Sequence, residues 1–272
     1  GHMLQASTNK NGLKILQNAF CLHPDEIIDL NGVCQIEELA LCGCMTTNLI
    51  NTEQVEVIQD NGFAGSAFEK IEPEAGHVLM AGSILIKASV SENGKIDVPA
   101  ETTAVDFTNI DFNKFDAVVL HNLNTLNRIS KYGLSSTVIF AEDCEIPEYE
   151  FNGRSCFANT ENIKVNAQNQ YYKSINGILY SKDGKRLIKC PGKKQGIVNI
   201  PEGVKKIKDT AFFHARISEA ILPTTLKEIG YMAFCGCENL SKLTLYNGVE
   251  IIDEWAFAST SIADIRLPDS IK

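Results

Sequence analysis

The clearest pattern along the chain is an apolar frame that returns every 22 or 23 residues in its C-terminal third. Ile200-Pro201, Leu222-Pro223, Leu245-Tyr246 and Leu267-Pro268 open successive units, spaced 22, 23 and 22 residues apart. Inside the units an Ala-Phe pair recurs as Ala211-Phe212, Ala233-Phe234 and Ala256-Phe257. Between these anchors lie Val204/Ile207, Leu226/Ile229 and Val249/Ile252, each pair three residues apart. Three interlocked series with one period mark a repeat architecture.

A worn copy of the frame runs through the N-terminal part. Ile15 stands four residues before Ala19-Phe20, as Ile207 stands before Ala211-Phe212. Val33, Ile36, Ala40, Leu41 and Cys42-Gly43-Cys44 match Leu226, Ile229, Ala233, Phe234 and Cys235-Gly236-Cys237 position for position. Val55, Ile58, Asp60 and Phe63 match Val204, Ile207, Asp209 and Phe212, and Phe157 with Glu161-Asn162-Ile163 matches Phe234 with Glu238-Asn239-Leu240. The stretch 111–145 is weakest: Phe115, Val118 and Leu120 suit a strand, but no Ala-Phe anchor follows.

A unit this short cannot bury its own apolar face, so it must stack on copies of itself. Each unit offers a strand, as in Leu240-x-x-Leu243-x-Leu245, whose alternation points Leu243 and Leu245 inward. A turn, a second extended piece and a helical turn carrying Ala-Phe complete the coil. The expected fold is a leucine-rich-repeat solenoid, a right-handed coil of 22–23-residue units with a parallel β-sheet on one face. Two segments break the period. Residues 176–185 read as a β-hairpin turned at Asp183-Gly184, and Gly82 to Lys87 followed by Asn93-Gly94-Lys95 reads as another. Their recurrence suggests duplication of a larger block. The expected division is a tag remnant at 1–3, degenerate coils at 4–80, and a hairpin insertion with degenerate coils at 81–150. Coils at 151–272 then carry a hairpin at 171–192, all within one continuous solenoid.

Composition changes this picture little. The 272 residues carry a net charge of -9 with 44% hydrophobic positions, an ordinary soluble balance that argues against a nucleic-acid surface. Lys189, Lys193 and Lys194 are the nearest approach to a basic patch and read as a solvated loop. No apolar run approaches the length of a membrane span. Nine cysteines leave at least one unpaired. The two Cys-Gly-Cys triplets lie about six to eight coils apart, so about 30 Å of stacked strands separates them and they cannot share a zinc ion. Cysteine there reads as a small corner residue with a free thiol. His23, His77, His121 and His214 fall in different units without helical partners. No nucleophile elbow, phosphate loop or zinc-protease motif occurs, and pairs such as Glu37-Glu38 and Asp253-Glu254 sit at solvated positions. Neither a cofactor nor a metal is expected.

The Leu-Pro start, the Ile, the Ala-Phe and the Gly-Cys at this spacing resemble the BspA-like leucine-rich repeats, and residues 176–185 look like an insertion common in that family. The resemblance runs over about 150–272 and again over 12–72. It implies a bacterial surface or secreted protein associated with adhesion and host contact, with no catalytic motif to carry over. The corresponding partner is a protein or glycan.

The outward rows of the predicted sheet are the candidate binding face. Alternation directs Glu219, Ile221 and Pro223 outward in one unit, Lys242, Thr244 and Tyr246 in the next, and Asp264, Arg266 and Pro268 in the last. Glu219, Lys242 and Asp264 then form one column. The plain alternative for these residues is charge alternation between neighbouring strands. Tyr246 and Arg266 are residue types that anchor partners. Two rivals stand beside a binding module. One is a structural spacer, favoured because the sequence stops at Lys272, partway through a unit. The other is an enzyme with a polar site in the degenerate middle, near Asp106 to Glu145. Oligomeric state stays open, since an uncapped last coil exposes a strand edge.

Overall fold

The computed structural model describes residues 3–130, 133–153 and 155–272. Gly1 and His2 of the expected tag remnant lie outside the described residues, while Met3 pairs opposite Phe20 in a hairpin. The chain forms two compact units, residues 1–119 with 124–131, and residues 120–123 with 132–272. The change of unit falls in the stretch 111–145, where the repeat is weakest.

The first unit holds β1 (Met3–Thr8), β2 (Lys14–Phe20), β3 (Ile27–Asp29), β4 (Val33–Ile36), β5 (Asn48–Ile50), β6 (Val57–Ile58), β7 (Val78–Ala81), β8 (Ile84–Ala88), β9 (Lys95–Asp97) and β10 (Ala104–Val105). β11 (Ala117–Asn122) and helix α1 (Leu123–Ile129) follow at the change of unit. β2, β4 and β6 form a parallel ladder in which Leu16, Ile36 and Ile58 are partners, and β3 pairs in parallel with β5. Val33, Ile36, Ala40, Leu41, Val55 and Phe63 are all buried, as their match to the C-terminal frame requires. The first coil departs from that frame. Leu16, not Ile15, faces the core, and Phe20 is 42% exposed. β2 runs straight through Phe20 because antiparallel β1 holds it extended, so no corner forms there. α1 stands where the Ala-Phe anchor is missing and buries Leu126 and Ile129 instead.

The second unit holds β12 (Thr137–Glu145), β13 (Asn162–Val165), β14 (Tyr172–Ile175), β15 (Ile178–Ser181), β16 (Arg186–Lys189), β17 (Gln195–Asn199), β18 (Lys206–Ile207), β19 (Arg216–Ile221), β20 (Glu228–Ile229), β21 (Lys242–Thr244) and β22 (Ile251–Ile252). Each coil contributes to two parallel ladders. One is β17-β19-β21, the strand of the leucine motif; the other is β16-β18-β20-β22, formed by the second extended piece. Leu187, Ile207, Ile229 and Ile252 are successive partners in the second ladder, which is why the Ile position is kept so strictly.

The Ala-Phe corner takes the form of stacked turns. The N–H groups of Thr210, Phe212 and His214 donate to Tyr231 O, Ala233 O and Cys235 O of the next coil at 2.8, 2.7 and 3.0 Å. The alternate N–H groups of Ala211, Phe213 and Ala215 close turns within their own coil. This alternation turns the residues two before and two after the Phe into the left-handed region. Thr210 and His214, Met232 and Gly236, and Trp255 and Ser259 all have φ between 51° and 74°. Ala fits at the press point, and the Phe rings stack as a column: Phe234 lies 4.6 Å from Phe212 and 5.6 Å from Phe257 between ring centroids.

The hairpin insertions are partly rearranged from the expectation. β14, β15 and β16 form a three-stranded antiparallel meander, turned at Asn176-Gly177 as well as at Asp183-Gly184. In the earlier block the hairpin is β7-β8, turned at Gly82-Ser83; after Asn93-Gly94 the chain enters β9, which pairs in parallel with β11. The duplicated element is therefore β8 with β16. Ile84 and Leu85 pair with Ala104 and Val105, as Arg186 and Leu187 pair with Lys206 and Ile207, twenty residues on in both blocks. Lys87 and Lys189 hold equivalent places at or near the ends of these strands, and both are buried. Lys189 is thus not part of a basic surface.

Gly192 shows how close the coils lie. A Cβ there would meet Ala158 Cα at 2.7 Å and Ala158 O at 2.8 Å, both backbone atoms. Its N–H donates to Phe157 O at 2.9 Å, so the approach is fixed by a hydrogen bond. Gly192→Ala is expected to destabilise the fold by about 1–3 kcal/mol through overpacking. The check is a lower urea midpoint with an unchanged slope; an unchanged midpoint would mean the coils can separate freely here.

Candidate functional site

The candidate face is the outer side of β17-β19-β21. Val198, Ala220 and Leu243 are partners on the inner side, while Asn199, Ile221 and Thr244 are partners on the outer. A bulge at Ser218 re-aims β19 between Ile217 and Glu219, after which in-out alternation resumes. Ile197, Glu219 and Lys242 then lie in one row across the sheet. Ile221, Lys242, Thr244 and Tyr246 are exposed and Glu219 is half-buried. Glu219 and Lys242 are direct cross-strand partners of opposite charge, and among the described residues no ion pair within 4 Å joins them.

Two of the expected placements are corrected. Pro223 is buried, because the chain turns inward after Ile221 to begin the second extended piece. Asp264 and Arg266 are exposed but lie on no strand: the ladder shortens from five pairs between β17 and β19 to three between β19 and β21, and residues 261–268 do not extend it. Arg266 still comes together with Tyr246. Both line a surface pocket of about 380 Å3 with Asn247, Leu267 and Asp269. Ile197, at 59% exposure the largest apolar spot on the sheet, escaped the sequence reading. The alternation in Gln195-Gly196-Ile197-Val198-Asn199, just before the Ile200-Pro201 start, was the signal that could have found it.

The cysteines have structural settings. In each Cys-Gly-Cys triplet the second cysteine is buried and donates to a carbonyl one coil back, Cys44 to Ala19 O at 2.6 Å and Cys237 to Phe212 O at 2.9 Å. The first points outward, Cys42 fully and Cys235 in part. None of the nine cysteines is in a disulfide, and burial pushes the thiols of Cys144 and Cys237 up to about 12, far from a reactive thiolate. Among the described residues no group of three potential ligands is placed to hold a metal ion.

Two ionisable groups of the middle region, Asp106 and His121, are engaged locally. Asp106 is buried, and burial raises its pKa although Thr108 N–H at 3.1 Å and Asn109 Nδ2 at 2.9 Å donate to its carboxylate. These bonds make it the pivot of a turn. His121 Nδ1 lies 3.0 Å from Asp143, an exposed carboxylate one strand away. Among the described residues no helix is long and apolar enough to cross a membrane.

No curated protein matches this chain. Three solved structures are similar to it. The pneumococcal vaccine antigen PcpA is 19% identical over 93% of this chain and 61% of its own, with a TM-score of 0.48. The chain thus spans less than two thirds of that structure. A leucine rich cell surface protein from Faecalibacterium prausnitzii A2-165 is 14% identical over 98% of this chain and 88% of its own, with a TM-score of 0.41. A leucine-rich repeat protein from Eubacterium ventriosum ATCC 27560 is 15% identical over 100% and 92%, with a TM-score of 0.32. Residues 192–272 match the family described as "BspA type Leucine rich repeat region (6 copies)". That segment contains the corners at Phe212, Phe234 and Phe257, the ladder β17-β19-β21 and every candidate residue on its face. Residues 192–272, less than a third of the chain, are thus similar to BspA-type leucine-rich repeats.

Proposed function

We propose that the chain is a non-catalytic interaction module of a cell-surface or secreted protein, binding a protein or glycan through the outer face of β17-β19-β21. One observation carries the reading: this face combines exposed Ile197 and Ile221 with unpaired Glu219 and Lys242 and ends in the Tyr246–Arg266 pocket. An aromatic and an arginine beside apolar spots on a rigid sheet supply both area and direction for a partner. Rigidity matters because β17, β19 and β21 are held in one parallel ladder, so little ordering entropy is lost there on binding. In the middle region Asp106 is taken up by a turn and His121 lies on Asp143, which suits a scaffold better than a catalyst.

The test is a binding screen against extracellular-matrix proteins and glycans. A triple variant, Glu219→Lys with Lys242→Glu and Arg266→Glu, is run beside the unaltered protein, with circular dichroism as the fold check. The expected outcome is a ligand held by the unaltered protein and weakened at least about tenfold by the variant, as for loss of a binding anchor. A ligand held equally well by both would move binding off this face. No ligand at all would leave a structural spacer as the better reading.

A further inference from the structure

A second pocket, of about 410 Å3, opens beside the hairpin meander, where the end of β12 meets the turns before β14 and between β15 and β16. Its floor is the buried Tyr172, whose hydroxyl donates to Ile146 O and accepts from Ile146 N–H at 3.0 Å. Tyr171 stands at the rim, 43% exposed, with its ring 6.3 Å from that of Tyr172. The volume lies in the range of ordinary small-molecule sites, roughly 300–1,000 Å3.

The charges in this pocket define what it can accept. Arg186 is held on Glu148, its Nε 3.0 and 3.3 Å from the two carboxylate oxygens, with Asp183 on its other side at 3.9 Å. Lys182 turns its ammonium to the carbonyls of Ala167 and Asn169. Both cations are thus committed, and Lys208 Nζ also lies 3.4 Å from Glu148, so Glu145 and Asp183 are the exposed carboxylates of the lining. An anionic ligand would meet the exposed carboxylates Glu145 and Asp183, while the two lining cations, Lys182 and Arg186, are already held by other groups. Hydrogen-bond acceptors, in contrast, are in surplus. Glu145 accepts from the Tyr171 hydroxyl, and Asp183 Oδ1 from Ser181 Oγ at 2.7 Å and Lys185 N–H at 3.0 Å. A carboxylate has about four lone-pair sites, however, and both groups are exposed beside Gln170.

We propose that this pocket binds a neutral mono- or disaccharide, with Tyr171 as the stacking platform and Glu145 and Asp183 accepting its hydroxyl protons. A pyranose matches both features. Its C–H face lies on the electron-rich face of an aromatic ring, and its hydroxyls donate charge-assisted hydrogen bonds to carboxylates. A neutral sugar leaves the Arg186–Glu148 pair intact, so binding breaks no existing ion pair. The site uses none of the residues of the β17-β19-β21 face, and the inference does not depend on that reading.

The experiment is saturation-transfer NMR of the full chain with methyl glycosides of glucose, galactose, mannose and N-acetylglucosamine, followed by titration of any that respond. At least one glycoside is expected to bind. Tyr171→Phe should keep its affinity within about threefold, and Tyr171→Ala should weaken it at least about tenfold, the loss typical of an anchor side chain. Tyr171 is exposed, so both variants are expected to fold, and circular dichroism checks this. The triple variant of the sheet face should bind the sugar unchanged. The assignment is overturned if no glycoside responds, if Tyr171→Ala binds as the unaltered protein does, or if the sheet-face variant loses the sugar. It is equally overturned if Nα-acetyl-lysine amide occupies the pocket and the glycosides do not, which would mark a site for a cationic side chain of a protein.

Discussion

Phe234→Ala is expected to lower the stability of the second unit by about 3–5 kcal/mol, the usual cost of emptying a phenylalanine site in a close-packed core. Phe234 is fully buried and stacked on both sides, with interplanar angles of 12° to Phe212 and 18° to Phe257. Removing its ring opens a cavity between two coil interfaces at once. In a repeat array stability is close to a sum of coil and neighbour terms, so loss of two interfaces should uncouple the coils on either side. Urea unfolding followed by circular dichroism should show a lower midpoint and a broadened transition. Phe257→Ala is the control. Phe257 is only half-buried and stacks on Phe234 alone, so its loss should cost clearly less. Equal costs for the two variants would rule out the stacked column as the source of the effect.

Lys189→Met is expected to act in the opposite direction. Lys189 is 2% exposed, and its ammonium has a single protein acceptor, Thr210 O at 3.0 Å. Burial lowers its pKa from 10.5 to about 8, with Cys156, Cys190 and Cys237 as its titratable neighbours. A group protonated in both states at neutral pH, but with this lower folded pKa, costs the fold roughly 3 kcal/mol. Between about pH 8 and 10.5 the unfolded chain holds a proton that the folded chain has released, so this cost fades as pH rises. Methionine keeps the apolar stem and removes the charge, at the loss of one hydrogen bond worth about 1 kcal/mol. The variant should therefore be about 2 kcal/mol more stable at pH 7, with the gain shrinking toward pH 10.5. The buried thiols oppose this trend in absolute stability, since burial raises their pKa, Cys237 to about 12. Comparison of variant and unaltered protein at each pH largely removes their share. A destabilised variant at pH 7, or a gain independent of pH, would overturn the assignment. Lys87, the equivalent residue of the earlier block, reaches Glu69 O, Ile71 O and Glu72 Oε1 at 2.7, 3.0 and 2.7 Å, so no such gain is expected there.

The candidate site was only half legible in the sequence. Alternation identified Ile221, Lys242 and Thr244 as outward because in a strand direction follows from parity. It failed at Pro223, where the strand has ended and the chain turns in, and at Asp264 and Arg266, where no ladder forms. The pairing of Tyr246 with Arg266 in one pocket joins two coils and no single-strand rule contains it. The pocket at Tyr171 lay further out of reach. Its residues come from the end of β12, the turn before β14 and the Asp183-Gly184 hairpin, and only the folding of the meander brings them together.

By itself the sequence determined the repeat, its period, and the core positions of the well-kept coils, though not those of the first coil. Stacked coils share one register, so every coil must present the same apolar positions, and that demand is written into the spacing of Ile207, Ile229 and Ile252. It also determined some of the left-handed corners, since glycine at 43, 65 and 236 is the usual occupant of such backbone. Only the tertiary structure decided the others. Leu39, Thr210, Met232 and Trp255 have side chains that disfavour positive φ, a cost of about 1–2 kcal/mol each, yet all four adopt it. At Leu39, Thr210 and Met232 the backbone N–H donates to the next coil, and those bonds exist only once the neighbour is in place. The burial of Lys189 was decided in the same way. Its lysine reads as surface in any local window, and only the packing of β16 between β15 and β18 puts it inside.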